Sequence, residues 1–223
     1  MSESFPLVMS FAATDPSGGA GLQADILTIS SMGCHPLLAV TAITVQDTSG
    51  VEDVLAMDPE WGVDQARAML EDVAAFKIGM LGSVENIAAI AEILADYPDI
   101  PLVLDPVLAS GRGDELANDD MLDAMCELLI PQTTIITPNS IEARRLALDE
   151  DNDEDDPSLD ECAKRILRMG CEYVLVTGTH EQTPKVINTL YAERGILRSD
   201  SWARLPGIYH GSGCTLAAAI AAL

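Results

Sequence analysis

Near the carboxyl end, His210-Gly211-Ser212-Gly213-Cys214 runs into Thr215-Leu216-Ala217-Ala218-Ala219-Ile220, a run of strong helix formers. Glycines just before a helix let backbone amides turn towards one point, where they have no intrahelical acceptor and the helix dipole is positive. Such a loop suits a transferring phosphoryl group. The same glycines would equally serve a tight turn packed on a sheet. Cys214 places a sulfur at this point: a thiol at a helix N-terminus has a lowered pKa and can be thiolate-like near neutral pH, whereas a lone buried cysteine is inert.

A second glycine-rich string, Ala13-Thr14-Asp15-Pro16-Ser17-Gly18-Gly19-Ala20-Gly21-Leu22-Gln23-Ala24-Asp25, lies between an apolar run and a helix-like segment. Glycines there permit sharp turns and close backbone approach at a strand end, where open α/β sheets place ligands. Val45-Gln46-Asp47-Thr48 closes another apolar run, so the Gln46 amide would emerge where it can read ring nitrogens. Lys77-Ile78-Gly79-Met80-Leu81 closes a third, and Met80 reads equally as core filling. Leu102-Val103-Leu104-Asp105-Pro106-Val107 and Thr137-Pro138-Asn139-Ser140-Ile141-Glu142 each pass from an apolar strand to polar groups that could hold a metal and phosphates. On a helix, Asn139 and Glu142 would share a face; Glu142 also reads as a first-turn glutamate favoured by the dipole. Val176-Thr177-Gly178-Thr179-His180 follows one more run, with His180 reading as a surface residue.

These groups need a scaffold that delivers strand ends to one place. Apolar runs of strand length recur at Leu7 to Ala12, Leu38 to Val45, Ala75 to Ile78, Leu102 to Leu104, Thr134 to Ile136 and Tyr173 to Val176. Helix-like segments fall near Ala20 to Met32, Val63 to Val73, Val84 to Ala95, Asp119 to Leu129, Ser140 to Leu148 and Leu159 to Met169. The alternation, with several strands apolar on both faces, implies a mainly parallel sheet covered by helices on both sides. At 223 residues, 48% of them apolar, the chain reads as one domain. The acidic run from residue 149 to 156 reads as a solvated loop, with Ser158 or Asp160 capping the helix after it.

The formal net charge of -24 would repel a phosphate backbone and anionic lipid, which argues against nucleic acid and membrane partners and favours small substrates. That acidity speaks to solubility and leaves a salt-rich cytoplasm open as its cause. No stretch is apolar enough to span a membrane and the N-terminus lacks a signal pattern, so a cytoplasmic location is expected. The five cysteines are scattered and never spaced as a CxxC pair, which suggests neither disulfides nor a zinc site.

The string GSGCT resembles the GTGCT segment of hydroxymethylpyrimidine phosphate kinases, a variant of the GAGD signature of ribokinase-like enzymes, and DPSGGAGLQAD is similar to their DPSGGAGIQAD. The resemblance runs from the first strand to Leu223 with its motifs in order, and it implies a three-layer α/β/α ribokinase-like fold. It further implies an anion hole at Gly211, Ser212, Gly213 and Cys214, with Cys214 facing the substrate hydroxyl where most ribokinase-like kinases carry an aspartate base. Substrate contacts are implied at Ala13, Asp25, Gln46, Met80 and Val107, nucleotide contacts at Asn139, Thr177 and Gly178, and a magnesium site near Asp105 and Glu142.

The implied reaction is ATP-dependent phosphorylation of 4-amino-5-hydroxymethyl-2-methylpyrimidine, and of its monophosphate, in thiamine diphosphate synthesis. ATP and Mg2+ are the implied cofactors, and analogy suggests a homodimer. The sequence departs from the family at Thr177, where many relatives carry lysine, and at Ala13, where many carry glycine. The resemblance also implies further helices after the anion-hole helix, within which the chain ends. A pyridoxal or pyridoxine kinase and a non-catalytic pyrimidine-binding protein remain the alternatives.

Overall fold

The structure is a computed structural model that describes residues 5–110, 113–148, 157–207 and 209–223, so the acidic run lies outside the described residues. A nine-stranded sheet in the order β3-β2-β1-β4-β5-β6-β7-β8-β9 forms its centre. The strands are β1 (Leu7–Thr14), β2 (His35–Gln46), β3 (Val51–Ala56), β4 (Val73–Ile78), β5 (Leu102–Leu104), β6 (Ile135–Ile136), β7 (Tyr173–Thr177), β8 (Lys185–Ala192) and β9 (Gly195–Ala203). From β2 to β7 all neighbours are parallel, whereas β3 on one edge and the β8–β9 hairpin on the other run antiparallel to their neighbours.

Strand alternation splits the apolar side chains between two faces. Val8, Ala75 and Val103 pack with α1 (Gly21–Ser31) and α7 (Ser212–Ala221) through Ile29, Ala217, Ala218 and Ala221. On the opposite face Met9, Phe11, Phe76, Ile78, Leu102 and Leu104 meet α2 (Pro59–Arg67), α3 (Val84–Ala95), α4 (Asp119–Ala124), α5 (Ser140–Leu146) and α6 (Leu159–Arg168). The expected three layers are therefore present, in a mixed sheet with a parallel centre.

Three expectations need correction. The helix expected over 63–73 is α2 at 59–67, because Asp58 caps it through the Glu60 amide with Pro59 behind, and Val73 already opens β4. The helix expected over 119–129 is α-helical only to Ala124 and continues as a π turn over Met125–Leu129. The strands β3, β8 and β9 escaped the apolar pattern because their outer positions face solvent and carry polar residues. Ser158 does cap α6 by accepting from the Glu161 amide.

No disulfide joins any of the five cysteines, and Cys162 and Cys171 are buried. Among the described residues no helix is long and apolar enough to cross a membrane. Phe76 anchors the larger core: it is fully buried, with ring centroids 6.2 Å from both Phe11 and Tyr97. Phe76→Ala should cost about 3–5 kcal/mol of folding stability, measured by urea unfolding.

Candidate active site

On the face covered by α1 and α7, three adjacent strands change from apolar to polar at the same height. Val8 gives way to Ser10, Ala75 to Lys77 and Val103 to Asp105, two residues on in each case. Ser10 and Lys77 are register partners, and Asp105 follows the end of β5 directly. The row meets Asp25 from α1 and Cys214 from the first turn of α7. Lys77 Nζ lies 3.0 Å from Asp25 Oδ2, which also accepts the Ser10 hydroxyl at 2.6 Å, and both charged side chains are 0% exposed. Asp25 Oδ1 has no hydrogen-bond partner. Asp25 is therefore neither a helix-surface carboxylate nor open to solvent: it neutralises a buried lysine.

Burial works against the Lys77 charge, but Asp25, Cys214 and Asp105 around it hold the ammonium above the ordinary lysine value. Burial pushes Asp105 up to about 6, moderated by Lys77 and by a hydrogen bond from the Cys214 thiol. Cys214 itself is pushed up to about 12, chiefly by burial and then by the Asp105 charge. The expected thiolate is thus corrected: the dipole of α7 is outweighed by desolvation and a neighbouring carboxylate, and the sulfur is a protonated donor at neutral pH.

Of the four amides expected to cradle a phosphate, that of Ser212 is spent on the Tyr209 carbonyl at 3.3 Å. The amides of Gly211, Gly213 and Cys214 have no acceptor among the described residues, as a helix N-terminus leaves them. This loop is locked to the glycine-rich string that runs from Ala13 to Asp25. His210 Nε2 donates to Asp15 Oδ2 at 2.9 Å, and Asp15 also accepts from the Ser17 amide and hydroxyl and from the Ala20 amide. Burial raises the Asp15 pKa, but these bonds outweigh it and hold the carboxyl below its ordinary value. Gly211 sits at φ 74°, and a Cβ there would come within 1.8 Å of the Gly19 carbonyl oxygen. Only glycine allows that approach.

The remaining candidates surround this centre. Ala13 is buried at the top of β1, and Gln46 closes β2 half-buried. Met80 is half-buried, with its carbonyl accepting the Thr41 hydroxyl at 2.6 Å. Val107 adopts φ 41°, rare for a β-branched residue. The next amide, Leu108, donates to Glu142 Oε1 at 3.1 Å, while Glu142 Oε2 accepts the Asn139 amide at 2.9 Å. Asn139 caps α5, so it and Glu142 meet in a capping box rather than sharing a helix face.

Burial, then the Asp105 charge, pushes Glu142 up to about 7. Two buried carboxyl groups, one raised in part by the charge of the other, fit a divalent cation, and each Glu142 oxygen keeps a lone pair beyond its amide bond. Among the described residues no group of three or more His, Cys, Asp or Glu stands ready to hold a metal alone. Thr177 ends β7 beside Asn139, its amide donating to the Pro138 carbonyl at 2.9 Å. Gly178 cannot offer its amide to a ligand as expected, because Asn188 Oδ1 takes it at 3.2 Å. His180 is exposed.

Ser10 was not singled out by the sequence, and Lys77, Asp15 and His210 stood in its motifs without a role of their own. Lys77 alone left a signal, as the one ionisable residue in the apolar run Ala75-Phe76-Lys77-Ile78. Lys77→Met should lower folding stability by about 3–5 kcal/mol, since it strands Asp25 as a buried charge, and Asp25→Asn/Lys77→Met should recover most of that in urea unfolding. Gly211→Ala should lower turnover at least about 10²-fold while leaving the helical circular dichroism intact.

Residues 15–223 match the family described as phosphomethylpyrimidine kinase. The hydroxymethylpyrimidine/phosphomethylpyrimidine kinase of Escherichia coli is 36% identical, over 96% of this chain and 81% of its own. Among solved structures, the phosphomethylpyrimidine kinase of Clostridium difficile superposes with a TM-score of 0.79 at 33% identity, over 98% of this chain and 90% of its own. An ADP complex of Bacillus subtilis pyridoxal kinase superposes with a TM-score of 0.85 at 29% identity, over 98% of this chain and 84% of its own. This chain therefore belongs to the phosphomethylpyrimidine kinase family.

Proposed function

We propose that this chain phosphorylates the hydroxymethyl group of 4-amino-5-hydroxymethyl-2-methylpyrimidine with ATP, and then the phosphate of the resulting monophosphate, in thiamine diphosphate synthesis. The observation that carries the reading is the set of amides at Gly211, Gly213 and Cys214 that have no acceptor among the described residues, at the helix end that brings Cys214 to Asp105. Phosphoryl transfer asks chiefly for positioning and charge stabilisation, and this arrangement supplies both.

In this reading the hydroxymethyl oxygen bonds to the γ-phosphorus as the bond to ADP breaks, with the free amides holding the transferring oxygens. The protonated Cys214 thiol passes its proton to Asp105 while taking the one the hydroxyl releases. Asp105, at about 6, is a carboxylate at neutral pH and already bonded to that thiol. Magnesium, held near Asn139 and Glu142 and completed by nucleotide oxygens, would neutralise phosphate charge and leave Asp105 to the proton. Ala13, Gln46, Met80 and Val107 border the acceptor side, and Asn139 and Thr177 the nucleotide side.

We place the reaction in the cytoplasm, in keeping with the free cysteines, and assign a homodimer through the exposed apolar residues Ile43, Val45 and Leu55 at the β2–β3 edge. The higher TM-score against the pyridoxal kinase favours pyridoxal as the competing acceptor. A coupled ADP-release assay on both alcohols decides between them, with turnover expected on the pyrimidine; turnover on pyridoxal alone would reassign the substrate, and tight binding without turnover would make the chain a binding protein. Cys214→Ala should reduce turnover about 10²-fold, whereas Cys214→Ser, which keeps a donor to Asp105, should stay within about tenfold of wild type. Turnover should rise with pH through about 6 as Asp105 loses its proton, which a pH profile of kcat reads directly.

A further inference from the structure

Arg204 follows β9 and reaches back to the loop between β7 and β8. Its Nε donates to the Thr183 carbonyl at 3.2 Å, Nη1 to that of Thr179, and Nη2 to those of Glu181 at 2.7 Å and Gly178 at 3.5 Å. One guanidinium thus gathers four carbonyls of a single loop. In a planar trans peptide the N–H points opposite to the C=O, and the described chain contains no cis peptide bonds. Turning the carbonyls of Gly178, Thr179 and Glu181 onto Arg204 therefore turns the amides of Thr179, His180 and Gln182 to the far side of the loop.

Among the described residues none of those three amides donates to a protein acceptor, and all three residues are exposed. The guanidinium charge is not spent on a carboxylate either. The one acid of the loop, Glu181, pairs instead with Arg144 at 2.8 Å. Positive charge behind the loop and outward N–H groups in front of it have the same sign, which is the arrangement of an anion cradle. The loop leaves β7 at Thr177, beside Asn139 and at the ligand end of the sheet.

We propose that Arg204 is a positioning residue for the nucleotide: by gathering the carbonyls of Gly178, Thr179 and Glu181, it presents the amides of Thr179, His180 and Gln182 to a phosphate group of ATP. The proposal rests on the kinase reading above. It also answers where an acidic chain finds positive charge for a polyanion at this strand end, given that Lys77 is sealed beneath the acceptor side and Arg144 is engaged with Glu181.

Arg204→Gln and Arg204→Lys test it on an exposed side chain whose loss should move the melting temperature by only a few degrees. ADP affinity is measured by calorimetry, and KM for ATP, KM for the pyrimidine and kcat by the ADP-release assay. In Arg204→Gln the ADP Kd and the KM for ATP should rise about tenfold, the worth of one charge-assisted hydrogen bond. The KM for the pyrimidine and kcat at saturating ATP should stay within about twofold, and Arg204→Lys, which keeps the charge but cannot span the carbonyls, should fall in between. Unchanged ADP affinity, an equal rise in the KM for the pyrimidine, or a lysine variant equal to wild type would each overturn the proposal. A wild-type chain that binds ADP without phosphorylating the pyrimidine would sink the kinase reading alone, since the ADP titration still decides Arg204; one that binds no ADP overturns both.

Discussion

An ammonium group with no access to water must find its counter-charge inside the protein, and for Lys77 that counter-charge is Asp25. The pair joins the sheet to α1 by a bond that no surface substitute could replace. Asp25 reaches Lys77 only if α1 begins where it does, which follows from the turn through Gly21 at φ 55°, where a Cβ would meet the Ala13 carbonyl at 2.3 Å. α7 then packs on α1 and the strands through small side chains, Ala217, Ala218 and Ala221, and so brings Cys214 down to Asp105. The candidate centre is thus one layer of the core whose charged members must be balanced together.

That layer also explains why its titrations run against simple local rules. A cysteine in the first turn of a helix is expected to ionise easily, yet Cys214, a half-buried residue whose thiol faces a carboxylate, keeps its proton. Asp105 and Glu142 are raised chiefly by burial and then by a neighbouring carboxylate, Asp25 for the first and Asp105 for the second. Locally the Asp25 side of the site is held by an ion pair, and the Asn139 side by backbone capping. Glu142 illustrates the second device: its carboxylate fixes the Leu108 amide beside the strained Val107 and closes the capping box on Asn139. The same side chain therefore sets the shape of two strand-end turns.

Much of the scaffold was legible. The strands β1, β2, β4, β5, β6 and β7 were visible as apolar runs because burial on both faces removes polar residues from a parallel centre. The antiparallel edges were not, since half of each edge strand faces water and its pattern dissolves into ordinary surface sequence. Lys77 hid for the opposite reason: in a single sequence a lone lysine within an apolar run marks a break in the pattern as readily as a buried charge. Asp15 and His210 stand 195 residues apart, and nothing local announces that one will bond the other.

The sequence by itself determined the class of fold and the neighbourhoods of the chemistry, because glycine spacing before helices and apolar periodicity are short-range properties carried by adjacent residues. The tertiary structure alone decided which groups face one another and in what protonation state. Ser10 and Lys77 become partners through strand register, Asp25 and Cys214 meet them through helix docking, and the amides of the Thr179 loop turn outward because Arg204 returns from β9. Desolvation and charge coupling depend on distances across the fold, and those exist only once the layers have closed.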